Sequence, residues 1–160
     1  MLKYLRDDIV FQEIPSEVSL AVAISGCKIR CPECHSKYLW EDVGTPLTIQ
    51  EVDRLLKENR GVTNFLIMGG EHDIDALIEL FMYTHKRIKT AWYCGLDSIP
   101  KDKVGICQYL DYLKTGHYDS KYGGLDSPIT NQMLHKINHL ADGTIHLIDI
   151  TKSMQRNHEV

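Results

Sequence analysis

The sequence predicts an α/β fold with a mostly parallel sheet, and three observations carry that expectation. Short apolar runs recur at residues 20–25, 62–68, 88–94 and 109–114, each bounded by polar or glycine residues. Between the first three lie stretches with apolar residues at helical spacing, opening at Thr48 and at Asp73. Strand, helix, strand, helix, strand is the order that makes parallel strands with right-handed crossovers. At 160 residues the chain can bury a real core, and no repeat, low-complexity tract or linker divides it. Residues 1–160 are therefore expected to form a single domain.

Taken in order, residues 9–14 read as a short strand stopped by Pro15, and residues 20–25 as a buried one. Thr48-Ile49-Gln50-Glu51 is a capping box, a hydroxyl followed three residues later by a carboxylate. It opens a helix with Ile49, Val52, Leu55 and Leu56 on one face, ended by Gly61. Residues 62–68 form the next strand, and Gly69-Gly70-Glu71-His72-Asp73 is the turn after it, with Asp73 as N-cap. Ile74, Leu77, Ile78, Phe81 and Met82 then fall at helical spacing. Residues 88–94 give a third strand, 99–106 a short helix or irregular segment, and 109–114 a fourth strand ending at Thr115-Gly116. Residues 132–150, around Ala141-Asp142-Gly143, fit a β-hairpin better than a helix.

Composition narrows the function classes. The chain is 43% hydrophobic and 25% charged, as soluble domains are, and its formal net charge of −4 argues against a dedicated nucleic-acid binder. No apolar run is long enough to span a membrane, and the first residues lack the apolar core of a signal peptide. A cytoplasmic location follows as the expectation. There the five cysteines stay reduced, and an odd number suits full pairing poorly, so metal or redox chemistry is the better account of them.

Three of the five stand in Cys27-Lys28-Ile29-Arg30-Cys31-Pro32-Glu33-Cys34, a C-x3-C-x2-C cluster directly after the strand at 20–25. Thiolates this close repel one another unless a cation shares them. Three sulfurs leave one coordination position open. A zinc site would need a fourth ligand from His35, Cys94 or Cys107, whereas an iron–sulfur cube held at three corners keeps one iron free. Sites in α/β sheets form at the carboxyl ends of strands, and Cys27, Gly69, Cys94 and Gly116 each follow a predicted strand. They should line one rim, with the cysteine loop facing Gly69-Gly70-Glu71. Glycines there admit a close ligand, and the Glu71 carboxylate can hold an ammonium group.

The cysteine spacing followed by Gly-Gly-Glu resembles the radical S-adenosylmethionine superfamily. Phe11-Gln12-Glu13-Ile14-Pro15, Lys114-Thr115-Gly116-His117-Tyr118, Gly124-Leu125-Asp126-Ser127-Pro128 and Thr130-Asn131-Gln132 narrow the resemblance. They are similar to the family of proteins that activate anaerobic ribonucleoside-triphosphate reductases. The resemblance implies a 4Fe–4S cluster on Cys27, Cys31 and Cys34, with S-adenosylmethionine bound at its open iron. It also implies that Gly69, Gly70 and Glu71 hold the methionine ammonium, and that Glu33, Cys34 and His35 lie beside the adenine. The aromatic residue that often precedes the third cysteine in the superfamily is here Glu33. The implied product is a glycyl radical on the reductase, and the implied fold is a compact, incomplete (β/α) barrel, too small to close at this length. Lys28, Arg30 and Lys37 would face an acidic electron donor such as a flavodoxin. Cys94 and Cys107 are expected to be core residues, and Trp92 and Tyr93 strand packing. Two other readings stand beside this one: a small radical enzyme acting on a small molecule, and a non-catalytic zinc-binding module.

Overall fold

The computed structural model describes residues 1–32, 34 and 36–158, with side chains as far as residue 155. Its frame is one open sheet of eight strands: β1 (Lys3–Val10), β2 (Ser19–Ile24), β3 (Thr45–Pro46), β4 (Asn64–Met68), β5 (Lys89–Tyr93), β6 (Tyr112–Thr115), β7 (Met133–His139) and β8 (Ile145–Asp149). They lie in the order β3-β1-β2-β4-β5-β6-β7-β8. The centre, β2-β4-β5-β6, is parallel as expected. Both flanks are antiparallel, β3 and β1 on one side and β7 and β8 on the other, so the sheet is mixed rather than mostly parallel. The reason is local. The strands β1 and β2, β6 and β7, and β7 and β8 follow one another without an intervening α-helix, a connection that favours antiparallel neighbours.

The expected strand at 9–14 is displaced. The strand is Lys3–Val10, and residues 11–16 turn away over the sheet, taking Ile14 into the interior. Most of β1 is exposed, so backbone pairing with β2 defines it and no apolar alternation marks it. The tail is the expected hairpin, with His139 opposite Ile145. The segment after β5 is a 3-10 helix, Lys101–Tyr109.

Helices α1 (Ile49–Glu58) and α2 (Ile74–Thr84) start where their caps stand. The Glu51 N–H donates to Thr48 Oγ1 at 3.1 Å, and the Ala76 N–H to Asp73 Oδ1 at 3.2 Å. Both helices pack on one face of the sheet. Val52, Leu55, Leu77, Leu80 and Phe81 meet Val22, Phe65, Ile67, Trp92 and Leu113 there. Each large side chain so buried is worth about 1.5–3 kcal/mol. Met82, expected on this face, is exposed, and Leu80 takes the inward position.

Among the described residues, no α-helix packs on the other face. Ala21, Leu66, Ala91, Tyr112 and Leu134 form a smaller core, covered by Ile14, Leu125 and Met154 from loops and the final 3-10 turns. At the amino ends of the parallel strands, the buried carboxylate of Glu17 accepts from Thr63 Oγ1 at 3.1 Å and from Tyr112 OH at 3.3 Å, and pairs with Lys89 Nζ at 3.3 Å. This clasp ties β2, β4, β5 and β6 together at the end away from the cysteines. Among the described residues no helix is long and apolar enough to cross a membrane.

Candidate iron–sulfur site

In-register pairing puts Ala23, Met68, Tyr93 and Lys114 in one row across the four parallel strands, at their carboxyl ends. The chain leaves the sheet just beyond that row, so the cysteine loop, the Gly69-Gly70-Glu71 turn and Gly95 emerge side by side. The loop is anchored at its start by backbone hydrogen bonds: Gly26 N to Glu41 O at 3.0 Å, and Cys27 N to Leu39 O at 2.9 Å. Further on, Cys34 N donates to Cys31 O at 3.1 Å, and Ser36 N donates to the Cys34 sulfur at 3.3 Å.

Cys27, Cys31 and Cys34 are half-buried free thiols on this loop. Burial pushes the Cys31 thiol up from its ordinary value, and the neighbouring Cys34 and Cys27 push it further the same way. A backbone hydrogen bond from Tyr118 and the charge of Lys114 act in the opposite direction. The Cys31 sulfur thus senses its two neighbours, and positive charge nearby favours its thiolate. Among the described residues no three His, Cys, Asp or Glu side chains stand at the spacing of a single metal ion. A cube binds each thiolate at a different iron, which spaces the sulfurs more widely, and three soft donors on one loop fit such a group.

The Gly-Gly-Glu turn meets the loop at Gly95. Gly70 takes a left-handed backbone (φ +89°), and a Cβ on it would stand 3.0 Å from Leu77, so only glycine lets β4 turn directly into the residues before α2. Glu71 Oε1 accepts the Gly95 N–H at 2.6 Å. A Cβ on Gly95 would overlap Ile29 Cδ1, a side chain of the cysteine loop. One residue without a side chain therefore joins the two segments that the sequence singles out. Glu33 and His35, expected near the adenine, lie outside the described residues.

Beside the loop, on the face without α-helices, a cavity of about 480 Å³ is lined by Cys34, Met68, Tyr93, Lys114, Tyr118 and Asp126, among others. A larger one, about 680 Å³, lies between the ends of α1 and α2, around Arg60, Tyr83 and Arg87, and has no cysteine in its walls. Of these two, the smaller has a residue of the cysteine loop, Cys34, in its wall. Tyr93 is strand packing on one side, as expected, but its ring also walls this cavity, and its hydroxyl donates to Glu13 O. Trp92 points to the helical side, where its indole N–H holds Gly69 O at 2.8 Å. Cys94 and Cys107 are buried in that core, and burial pushes the Cys94 thiol up to about 12.

Lys114 was absent from the sequence-based site. Burial pushes its ammonium down from the ordinary lysine value, while Cys94, Glu71 and Cys31 oppose the shift. The available signal was a lysine closing an apolar strand just before a glycine. Lys28, Arg30 and Lys37 are exposed around the loop, with Arg30 and Lys37 set over the Trp40 ring at 5.2 and 5.8 Å from its centroid.

A family model described as a 4Fe–4S single cluster domain matches residues 17–135. The curated 7-carboxy-7-deazaguanine synthase of Hyperthermus butylicus is 32% identical over 68 residues, covering 38% of this chain. The match spans 28% of that relative's length. No solved structure matches the chain.

Proposed function

The chain belongs to the 4Fe–4S single cluster domain family, and from that premise we propose that it is a radical S-adenosylmethionine enzyme that installs a glycyl radical on an anaerobic ribonucleoside-triphosphate reductase. The observation carrying the proposal is the placement of three half-buried cysteines on a rim loop, beside a cavity at the carboxyl ends of four parallel strands. The open eight-stranded sheet is read as an incomplete (β/α) barrel of the radical S-adenosylmethionine type.

Cys27, Cys31 and Cys34 would hold the cluster, leaving a fourth corner to S-adenosylmethionine. When bound, the cluster supplies the single electron that breaks the sulfonium bond, giving methionine and a 5′-deoxyadenosyl radical able to take a hydrogen atom from a backbone glycine. The chain's own part is positioning. Glu71 Oε1 is held by the Gly95 N–H, which leaves Oε2 to receive the methionine ammonium beside Gly69 and Gly70. Glu33 and His35 are proposed to flank the adenine. Tyr93, Met68 and Leu125 wall the cavity and keep water from a radical, while its open side admits a loop of a large partner. Lys28, Arg30 and Lys37 are proposed to receive an acidic electron donor such as a flavodoxin, in a reducing cytoplasm.

Anaerobic reconstitution with iron and sulfide tests this. Chemical reduction with S-adenosylmethionine present is expected to yield 5′-deoxyadenosine, and a glycyl radical signal only when the reductase is added. Cys31→Ala is expected to lose the iron and the product while leaving the circular dichroism spectrum unchanged, because Cys31 lies on the rim and not in the core. Zinc without iron after anaerobic purification would overturn the reading in favour of a zinc-binding module. The likeness to the deazaguanine synthase favours a second reading, a radical enzyme acting on a small molecule. 5′-Deoxyadenosine formed in abundance with no radical on the reductase would select it.

A further inference from the structure

Among the described residues, Lys114 is a buried cation with no ion-pair partner. It is 9% exposed at the end of β6. Its ammonium donates to Gly116 O at 2.9 Å, reaches Cys94 O at 3.4 Å, and lies 5.9 Å from the Tyr93 ring centroid. None of the ion pairs among the described residues includes it. Carbonyl oxygens and a ring face replace some of its lost hydration, but they do not cancel its charge. A buried charge left uncompensated is costly, so a site built this way calls for an anion to arrive. The charges of Glu71, whose Oε1 accepts the Gly95 N–H, and of Asp97, paired with His117, reach Lys114, but neither forms an ion pair with it. The cysteine loop is the other neighbour: Lys114 shares a cavity wall with Cys34, alongside Glu13 and Asp126, and its charge is felt at the Cys31 sulfur.

Building on the cluster reading above, we propose that Lys114 is the buried counter-charge of the 4Fe–4S group on Cys27, Cys31 and Cys34, and raises that group's reduction potential. Three thiolates make the loop strongly negative, and reduction adds one more negative charge. A fixed positive charge favours the reduced form over the oxidised one, and it does so more strongly where water is excluded. That distinction separates Lys114 from Lys28, Arg30 and Lys37, whose exposed charges are screened by solvent and salt. Lys114 acts on the electron through the cluster's surroundings and is a positioning residue for charge.

The test is a potentiometric titration of the anaerobically reconstituted full chain, without S-adenosylmethionine, followed by the electron paramagnetic resonance signal of the reduced cluster. Lys114→Met is expected to make reduction at least tenfold less favourable, a shift of about 59 mV to more negative potential for one electron. Lys114→Arg, which keeps the charge, is expected to stay near wild type. Should the Met variant not fold, Lys114→Gln removes the charge but keeps donors for the two carbonyls, and reads the same shift. Equal midpoints for wild type and the neutral variants would overturn the proposal, as would an Arg variant shifted as far as the neutral ones. Wild type that takes up no iron overturns the cluster reading and this proposal together. Wild type with iron and an unmoved midpoint overturns this proposal alone.

Discussion

Gly95 has no side chain, and two neighbours use the space: Ile29 packs into it and Glu71 accepts its N–H. Gly95→Ala is expected to destabilise the protein by about 1 kcal/mol, the low end for overpacking, because the obstructing Ile29 Cδ1 ends a flexible side chain. Ile29→Val removes that methyl group, so the double variant is expected to regain most of the loss in urea unfolding. A double variant no better than the single would mean that the contact is not what Gly95 protects. The three cysteines were legible in the sequence because one short loop carries them all, and no distant residue has to be placed. Lys114 was not. Its burial depends on β5 and β6 pairing in a register that sets Tyr93 opposite it, at which a lysine closing an apolar strand only hints.

The helices show the same contrast one level up. Their starts were readable because capping chemistry is local, and Thr48 and Asp73 do cap α1 and α2. Thr48→Ala is expected to cost about 1 kcal/mol in urea unfolding, the usual effect of an unsatisfied N-terminal N–H. Within α1, Arg54 and then Tyr4 hold the Glu51 carboxyl down to about 2, below its ordinary 4.5. A depressed carboxyl contributes stability above its unfolded value and loses it as pH falls through the folded one. The melting temperature is therefore expected to fall between pH 4.5 and 2, and Glu51→Gln to flatten that slope. Solvent screening of the half-exposed Arg54 keeps the effect small. A wild-type slope left intact in the variant would place the acid sensitivity elsewhere. Strand β1 escaped the sequence because its pairing uses the backbone and leaves Arg6, Asp7 and Asp8 in water.

Across the whole molecule, the parallel centre was legible from the alternation of runs and the tail hairpin from its central turn, but the β1–β3 flank was not. Lys3–Val10 lacks an apolar stripe, so it does not read as sheet over its full length until its partner strand is known, and the half-exposed Met133–Asp149 region gives its hairpin away only at the Asp142-Gly143 turn. The Glu17 clasp fastens β2, β4, β5 and β6 through one buried carboxylate at one pole, while separate hydrogen bonds such as Glu71 to Gly95 hold the loops at the other. This uneven fastening gives the cluster-free protein two built-in clocks. Under mild denaturant, an alkylating reagent is expected to label Cys27, Cys31 and Cys34 through fraying of the rim, long before Cys94 and Cys107 become reachable. Mass spectrometry of the labelled peptides would time both events in one sample. Cys107, in the 3-10 helix that leads into β6, is the one near the Glu17 pole, and its labelling together with the rim cysteines would mean that the two poles come apart as one.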